Sequence, residues 1–212
     1  MDINYKEKIM TIDIEKETAD EHNKNVAKIL EVLKQDLDEE RFIHTLGVAF
    51  TASSLAMRYG ENIFKANYAG LLHDSAKSIP NDKKAAICDE LGIEVRDVER
   101  RNPHLLHAKL GAYRAKNVFG IDDNDVLNSI ISHTTAARKM SALQKIIYLA
   151  DFIEPGRTDD IKQMKEVRDM AFKDLDAAAF MTLEASLEYL NQKKAEVDPL
   201  SKEVYDALKV FF

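Results

Sequence analysis

The feature that most constrains this fold is a histidine–aspartate pair at the end of an apolar run. Residues 63–72 would be apolar on nearly every side of a helix, and His73-Asp74 follows directly. A helix of that kind belongs in a core, so it carries the pair into the interior. An unpaired carboxylate loses several kcal/mol on leaving water. The fold must therefore bring a cation or a full set of donors to Asp74.

The composition favours helices over sheets. The 212 residues are 45% hydrophobic and 32% charged, with only 7 glycines, 4 prolines and no tryptophan. Strong helix formers such as Ala, Leu, Lys and Glu are abundant. The net charge of −7 argues against a general nucleic-acid binder, which would normally be basic.

Apolar residues recur at helical spacing along most of the chain, and no alternating strand pattern interrupts them. The spacing predicts helices at about 25–37, 38–59, 63–72, 83–91, 105–119, 123–132, 141–153, 174–190 and 200–212, a short one ending near 101, and one to about 172 capped by Asp159-Asp160. We therefore expect one all-α domain of about nine to eleven helices over residues 25–212. Residues 1–24 are an extension, either flexible or a short helix.

Cysteine usage and hydropathy bear on location. The single cysteine, Cys88, excludes an internal disulfide and fits a reducing compartment. No signal peptide is visible, and no apolar run comes near the ~20 residues that a membrane span needs. We expect a cytoplasmic protein without a membrane partner.

Four further ligand-type residues stand on apolar helices. They are His44, His107, His133 and Asp151. Desolvation disfavours each group alone, so a cation that all of them coordinate together with His73-Asp74 explains them best. Histidine nitrogens with carboxylate oxygens and no thiolate favour iron, manganese, cobalt or magnesium over a structural zinc. Six ligands suit two metals that share a carboxylate.

The order of these residues resembles the H…HD…D signature of the HD superfamily of metal-dependent phosphohydrolases. The fuller pattern is similar to the YqeK family, from about residue 38 to the C-terminus. The segments that carry the similarity are Arg41-x-x-His44-Thr45, Leu72-His73-Asp74-x-Ala76-Lys77, His107-Ala108-x-x-Gly111-Ala112, His133-Thr134-Thr135 and Leu149-Ala150-Asp151-x-Ile153-Glu154-Pro155-Gly156-Arg157. Ala136 departs from the pattern, since a glycine is expected near this position after the paired threonines.

The resemblance implies an HD-type helical bundle with the metal site in its core. Members of the YqeK family are symmetrical diadenosine-tetraphosphate hydrolases. Their pattern implies two divalent metal ions, iron first, with manganese or cobalt as substitutes. One ion would be held by His44, His73, Asp74 and Asp151; His107 and His133 would hold the second, with Asp74 bridging.

A mechanism follows from that assignment. Metal-bound hydroxide would attack a bridging phosphate, and the products would be two ADP. Asp74 and Lys77 are then the catalytic candidates, and the phosphates would be contacted by Arg41, Lys77, Thr134 and Arg157. Each contact has a plainer interpretation. Lys77 could be a solvated loop residue, Arg41 could pair with Asp38, and Arg157 could cap a helix.

Other functions remain open at this point. The same site could act on a nucleoside monophosphate or a guanosine alarmone, or belong to a nucleotide sensor of low turnover. A purely structural helical adaptor would leave six buried polar groups without a purpose. The expected partners are a dinucleoside polyphosphate substrate and a nucleoside diphosphate product, without nucleic acid, in a monomer or homodimer. Glu154 could orient a neighbouring side chain or lie on the surface.

Overall fold

The chain folds as an all-α bundle, as the composition predicts. The computed structural model describes residues 7–157 and 163–212. In these ranges the only β-type pairing is an isolated parallel bridge between Ile12 and Ile121. The helices are α1 Ala19–Asp36, α2 Glu39–Tyr59, α3 Ile63–Leu72, α4 Asn81–Glu90, α5 Asp97–Arg101, α6 His107–Asn117, α7 Asn124–Ser132, α8 Ala142–Ile153, α9 Met164–Ala171, α10 Leu175–Gln192 and α11 Pro199–Leu208, with a 3-10 turn at Pro103–Leu106 before α6.

Local signals set the ends of the helices that position the site. Asp38 caps α2 by accepting from the backbone N–H of Arg41, and Gly60 ends α2 with φ of 73°. Asn62 then caps α3. The short connection of Gly60 to Asn62 returns the chain, so α3 packs along α2 and delivers its C-terminal end to the core.

Two helix boundaries differ from the prediction by more than two residues. Helix α1 begins at Ala19, six residues before the predicted start at residue 25, because Thr18 and Glu21 form a capping box. Helix α11 ends at Leu208, and the last residues are exposed. The predicted cap Asp159-Asp160 lies outside the described residues; α9 is seen from Met164.

The main core lies between α2, α3, α7 and α8. Its fully buried members include Val48, Leu72, Ile130 and Ile147, one from each of these helices. The opposed helices bury their apolar faces against one another, while α4 and α6 enclose a second, smaller cluster and α10 and α11 a third. The main core therefore surrounds the C-terminal end of α3, where His73-Asp74 follows.

The segment before α1 packs on the bundle. Ile12 and Ile14 are buried in the main core, and the backbone N–H of Ile12 donates to Gly120 O at 3.1 Å. The structure thus places part of the predicted extension against the loop after α6. Among the described residues, no helix combines the length and the apolarity that a membrane crossing requires.

Candidate metal centre

Five helices bring the six predicted ligands together. His44 comes from α2, His73-Asp74 from the end of α3, His107 opens α6, His133 follows α7, and Asp151 lies in the last turn of α8. All are buried except Asp151, whose side chain is partly exposed. The six side chains converge as the sequence predicts, although His44 and Asp151 stand 107 positions apart in the chain.

The histidine rings are oriented alike. The Nδ1 of His73 lies 2.7 Å from Gly70 O, and that of His133 lies 2.7 Å from Ile130 O. His107 Nδ1 contacts His104 O in the same way. A carbonyl only accepts, so each Nδ1 carries the proton and each Nε2 keeps a lone pair.

These lone pairs point at the two aspartates. His107 Nε2 lies 3.0 Å and His133 Nε2 3.6 Å from Asp74 Oδ1. His44 Nε2 lies 3.0 Å from Asp151 Oδ1. Electron pairs of nitrogen and oxygen repel at such distances unless a cation lies between them.

Buried atoms without a hydrogen-bond partner show whether the residues of the site fit a metal ion. Among the buried side-chain atoms of the described residues, Nε2 of His44, Nε2 of His73 and Oδ1 of Asp74 lack a hydrogen-bond partner. Two sets have ligand atoms close enough to share an ion: His44, His73 and Asp151, and His73, Asp74 and His133. Imidazole and carboxylate donors without sulfur suit divalent iron, manganese or cobalt. The residues therefore fit a metal ion.

Burial and neighbouring groups keep the clustered side chains in the protonation states that bind a metal ion. Burial lowers the pKa of His73 and of His107 to about 4, so both rings are neutral near pH 7. The pKa of Asp74 lies well below its ordinary range, although burial alone would raise it. The pKa of Asp151 is lowered likewise, and the charge of Arg157 contributes to the lowering. Neutral imidazoles and ionised carboxylates are the forms that bind metal.

Three cationic side chains surround the carboxylates. Arg41 Nη1 donates to Asp74 Oδ2 at 2.8 Å, rather than pairing through its side chain with Asp38. Lys77 Nζ lies 3.1 Å from His107 Nε2 and 3.6 Å from Asp74 Oδ1. Arg157 donates to Asp151 Oδ1 at 2.7 Å. All three predicted cations thus reach the mouth of the site.

Thr134 does not join this group. It lines a cavity of about 530 Å³ together with Gln144 and Leu200, beside His133. His104 is exposed and takes part through its backbone carbonyl.

Lys84 is not among the residues that the sequence pattern predicts for the site. Its buried ammonium donates to Asn81 Oδ1 at 2.7 Å and to Lys77 O at 3.4 Å. Burial lowers the pKa of Lys84 to about 8.

Glu154 holds the remaining histidine in place. Its Oε1 lies 3.0 Å from His44 Nδ1, and its Oε2 accepts from the backbone N–H of Gly156 at 2.5 Å. A Cβ on Gly47 would lie 2.5 Å from Glu154 Oε2, so only glycine leaves room for the carboxylate. Glu154 is buried and orients His44 rather than lying on the surface. Its position one turn after Asp151 is a sequence signal for a place beside the site, though not for the contact with His44.

Comparisons with known proteins agree with this geometry. Residues 41–156 match the model of the HD domain. The chain is 37% identical over 175 residues to a protein of Bacillus subtilis named bis(5'-nucleosyl)-tetraphosphatase, symmetrical, covering 82% of this chain and 92% of that one. A protein of Halalkalibacterium halodurans with the same name is 38% identical, covering 87% and 97%.

A solved structure extends the similarity to the fold. A crystal structure described as that of a predicted HD superfamily hydrolase involved in NAD metabolism, from Clostridium acetobutylicum, is 42% identical, with a TM-score of 0.83, and the match covers 88% of this chain and 98% of that one. The matched family region contains the six clustered residues, from His44 to Asp151. The chain belongs to the HD domain family, in the branch of the symmetrical bis(5'-nucleosyl)-tetraphosphatases.

Proposed function

We propose that this protein is a metal-dependent hydrolase that cleaves diadenosine tetraphosphate symmetrically to two ADP. The observation that carries the proposal is the convergence of histidine Nε2 lone pairs on Asp74 and Asp151 inside the HD domain. Relatives similar over most of their length bear the name of this activity. The function inferred from the sequence and the geometry of the site therefore point to one reaction class.

The cofactor of the proposal is a pair of divalent ions, with iron as the first expectation and manganese or cobalt as substitutes. His44, His73, Asp74 and Asp151 would hold one ion, and His107 and His133 the other, with Asp74 shared. Bound ions supply an ionised water and withdraw charge from the phosphoryl oxygens. The two overlapping three-residue groups support a site larger than a single ion requires.

The cations around the carboxylates are the proposed phosphate contacts. Arg41, Lys77 and Arg157 now contact Asp74 or Asp151. With those carboxylates bound to metal, these side chains would be free to contact the phosphate oxygens of the substrate. Thr134 lies in the wall of the adjoining cavity. Its hydroxyl is the proposed hydrogen-bond donor to a phosphate further along the polyphosphate of the substrate.

The reaction balances as a hydrolysis. The oxygen of a water forms a bond to one of the two central phosphorus atoms, and the bond from that phosphorus to the central bridging oxygen breaks. The bridging oxygen leaves with the second ADP. Lys77 lies where it can stabilise negative charge on the phosphates during this step, because its ammonium is beside Asp74.

A substrate panel with resolved products tests the activity. The purified protein, reconstituted separately with Fe²⁺, Mn²⁺ and Co²⁺, is offered diadenosine tetraphosphate, nucleoside monophosphates and guanosine alarmones. We expect two ADP per tetraphosphate and no comparable turnover of the other nucleotides. AMP plus ATP, a preference for another nucleotide, or bound nucleotide without repeated turnover would contradict the proposal.

Two variants separate metal binding from phosphate binding. Asp74→Ala should lose both metal and turnover while the protein stays helical, because Asp74 Oδ2 lies 4.0 Å from His44 Nε2 and its Oδ1 lies 3.0 Å from His107 Nε2. Lys77→Ala should keep its metal and lose rate, with Lys83→Ala, an exposed lysine on α4, as the control. Normal hydrolysis by the Asp74 variant would refute the metal mechanism. An unchanged rate in the Lys77 variant would return Lys77 to a solvent-facing role.

The setting of the proposed enzyme is the cytoplasm. Cys88 is buried and free, and no disulfide occurs in the part of the chain that the structure describes. Burial raises the pKa of the Cys88 thiol to about 11, so the thiol is unreactive near neutral pH. A reducing compartment suits such a chain.

A further inference from the structure

One face of α2 exposes three large apolar side chains in a line. Ile43, Phe50 and Met57 are 57%, 67% and 62% exposed, and they stand seven residues apart. Seven residues are nearly two helical turns, so the three side chains form one stripe. Single exposed apolar residues are ordinary, but a continuous stripe of this kind marks an interaction surface.

Small residues alternate with the large ones. Gly47 and Ser54 also stand seven residues apart, between the members of the stripe. They line an open groove of about 630 Å³ between α2 and the end of α8, which Pro155 and Phe172 border on the far side. The α2 face therefore presents a row of protruding side chains and, beside it, a groove large enough for a phenyl ring.

We propose that two copies of this chain pair through this face, with their α2 helices antiparallel across a two-fold axis. Phe50 of each copy then lies over the partner's Gly47 and enters the groove beside it. Ile43 lies over the partner's Ser54. Both halves of the complementary pattern are on one face of one chain, which is what a two-fold interface requires.

The charged residues of α2 favour this register over other ways of pairing the two α2 helices. In the same register Glu39, exposed in the first turn of α2, lies opposite the partner's Arg58, exposed in its last turn. A parallel pair would instead set Glu39 against the partner's Glu39. An antiparallel pair displaced by seven residues would set Arg58 against the apolar Leu46. The proposed register sets Phe50 and Ile43 over small residues and matches acid with base, and it places Met57 opposite the partner's Glu40.

The surface is separate from the metal ligands but adjoins them. Ile43 precedes His44, and Pro155, on the edge of the groove, follows Glu154. Arg58 Nε donates to Phe172 O at 2.7 Å, which fixes the far border of the same face. The proposal concerns association alone, so it stands or falls independently of the hydrolase activity.

Sedimentation of the full-length protein tests the pairing. We expect a concentration-dependent dimer with a dissociation constant below about 10 μM. Phe50→Glu should raise that constant by about 100-fold or more, because the pairing would bury an unpaired charge. Ile131→Glu, a substitution at an exposed apolar residue of α7, is the matched control and should leave the constant unchanged. Met57→Glu provides a second probe of the stripe should Phe50→Glu fail to fold by circular dichroism.

Charge reversal tests the register. Glu39→Arg and Arg58→Glu should each weaken the dimer by roughly threefold or more, and the double variant should regain the affinity, since an exposed pair contributes up to about 1 kcal/mol. A wild-type protein that stays monomeric at about 100 μM would overturn the proposal. A dimer indifferent to Phe50→Glu and Met57→Glu, or a double variant weaker than both single variants, would overturn it as well.

Discussion

At the scale of single residues, the site depends on how each imidazole is held. Carbonyl oxygens fix the rings of His73, His107 and His133, whereas a carboxylate, Glu154, fixes His44. A carboxylate partner makes its imidazole a stronger donor toward a metal than a carbonyl does. His44 is therefore expected to be the strongest nitrogen ligand of the site.

Removing the Glu154 carboxylate should weaken metal binding. Glu154→Leu leaves His44 Nδ1 without an acceptor, and loss of such a partner typically costs about 10–100-fold in metal affinity. Glu154→Gln keeps one acceptor oxygen and should lose less. Competition with a chromophoric chelator measures the affinity directly, without reference to turnover. Equal affinities for wild type and the Leu variant would show that Glu154 does not position His44.

The sequence could predict which side chains cluster but not what supports them. His73-Asp74 stood out because an apolar helix carries it inward, and the four partners stood out because they too lie on apolar helices. The contact of Glu154 with His44 spans 110 residues, and neither helical spacing nor composition relates them. The need for a glycine at position 47 likewise could not be predicted from the sequence, because Gly47 acts only by leaving space for the Glu154 side chain.

At the scale of elements, one buried arginine connects the site to the helices behind it. Arg114 of α6 is fully buried and donates to Asp36 Oδ2 at 2.6 Å at the end of α1. It also donates to Ser75 O, in the turn that follows Asp74. The turn that presents His73-Asp74 is therefore joined to both α1 and α6.

Replacing Arg114 should destabilise the protein strongly. Arg114→Met leaves Asp36 and the Ser75 carbonyl without their donor, and breaking a buried pair from one side costs about 3–5 kcal/mol. Urea unfolding followed by circular dichroism measures the loss. Arg100→Met, which removes a solvent-exposed pair with Asp89, is the control and should change little. Similar unfolding midpoints for the two variants would contradict this role.

The N-terminal segment provides a second test at this scale. Gly120 and Gly92 both have φ of 68°, so alanine strains the backbone similarly at each. A Cβ at Gly120 would collide with the backbone of Met10 and Thr11, whereas one at Gly92 would meet nothing within 4 Å.

Gly120→Ala should therefore cost clearly more stability than Gly92→Ala. The difference in unfolding free energy measures how firmly the segment before α1 packs, since burying Ile12 and Ile14 contributes roughly 1.5–3 kcal/mol each. Equal losses at the two glycines would mean that this packing adds nothing to stability.

The helix boundaries show which elements could be predicted from the sequence alone. Helix α3 has the predicted bounds because Asn62 is a clear cap and the run behind it is apolar all round. The start of α1 was missed because its capping box, Thr18 and Glu21, lies ahead of the apolar stripe. The packing of Ile12 depends on the loop near Gly120, a contact over about a hundred residues that local pattern does not encode.

At the scale of the whole molecule, the buried histidines couple folding to pH. The pKa values of His73 and His107 are about 4 in the folded protein and about 6.5 in an unfolded chain. Between these values the unfolded chain binds protons that the folded metal-free protein does not. The stability of the metal-free protein should therefore fall as pH decreases from 6.5 toward 4.

Thermal unfolding of chelator-treated protein at several pH values checks this expectation. Asp74 and Asp151 add to this loss only below about pH 5, where the unfolded chain begins to protonate them, because their pKa values are lowered in the folded protein. The metal-loaded protein should have the higher melting temperature at neutral pH and lose that advantage as protons displace the metal. A melting temperature of the metal-free form that stays constant from pH 7 to pH 4.5 would contradict the coupling.

His73 belongs to both of the three-residue groups that can hold an ion. Its Nδ1 is committed to Gly70 O, so the ring has a single lone pair to offer. Two ions could not share that pair, so the second ion would depend on Asp74, His107 and His133. Loading should then proceed in two steps of unequal strength, and a half-filled enzyme would be a distinct species rather than an even mixture of empty and full molecules.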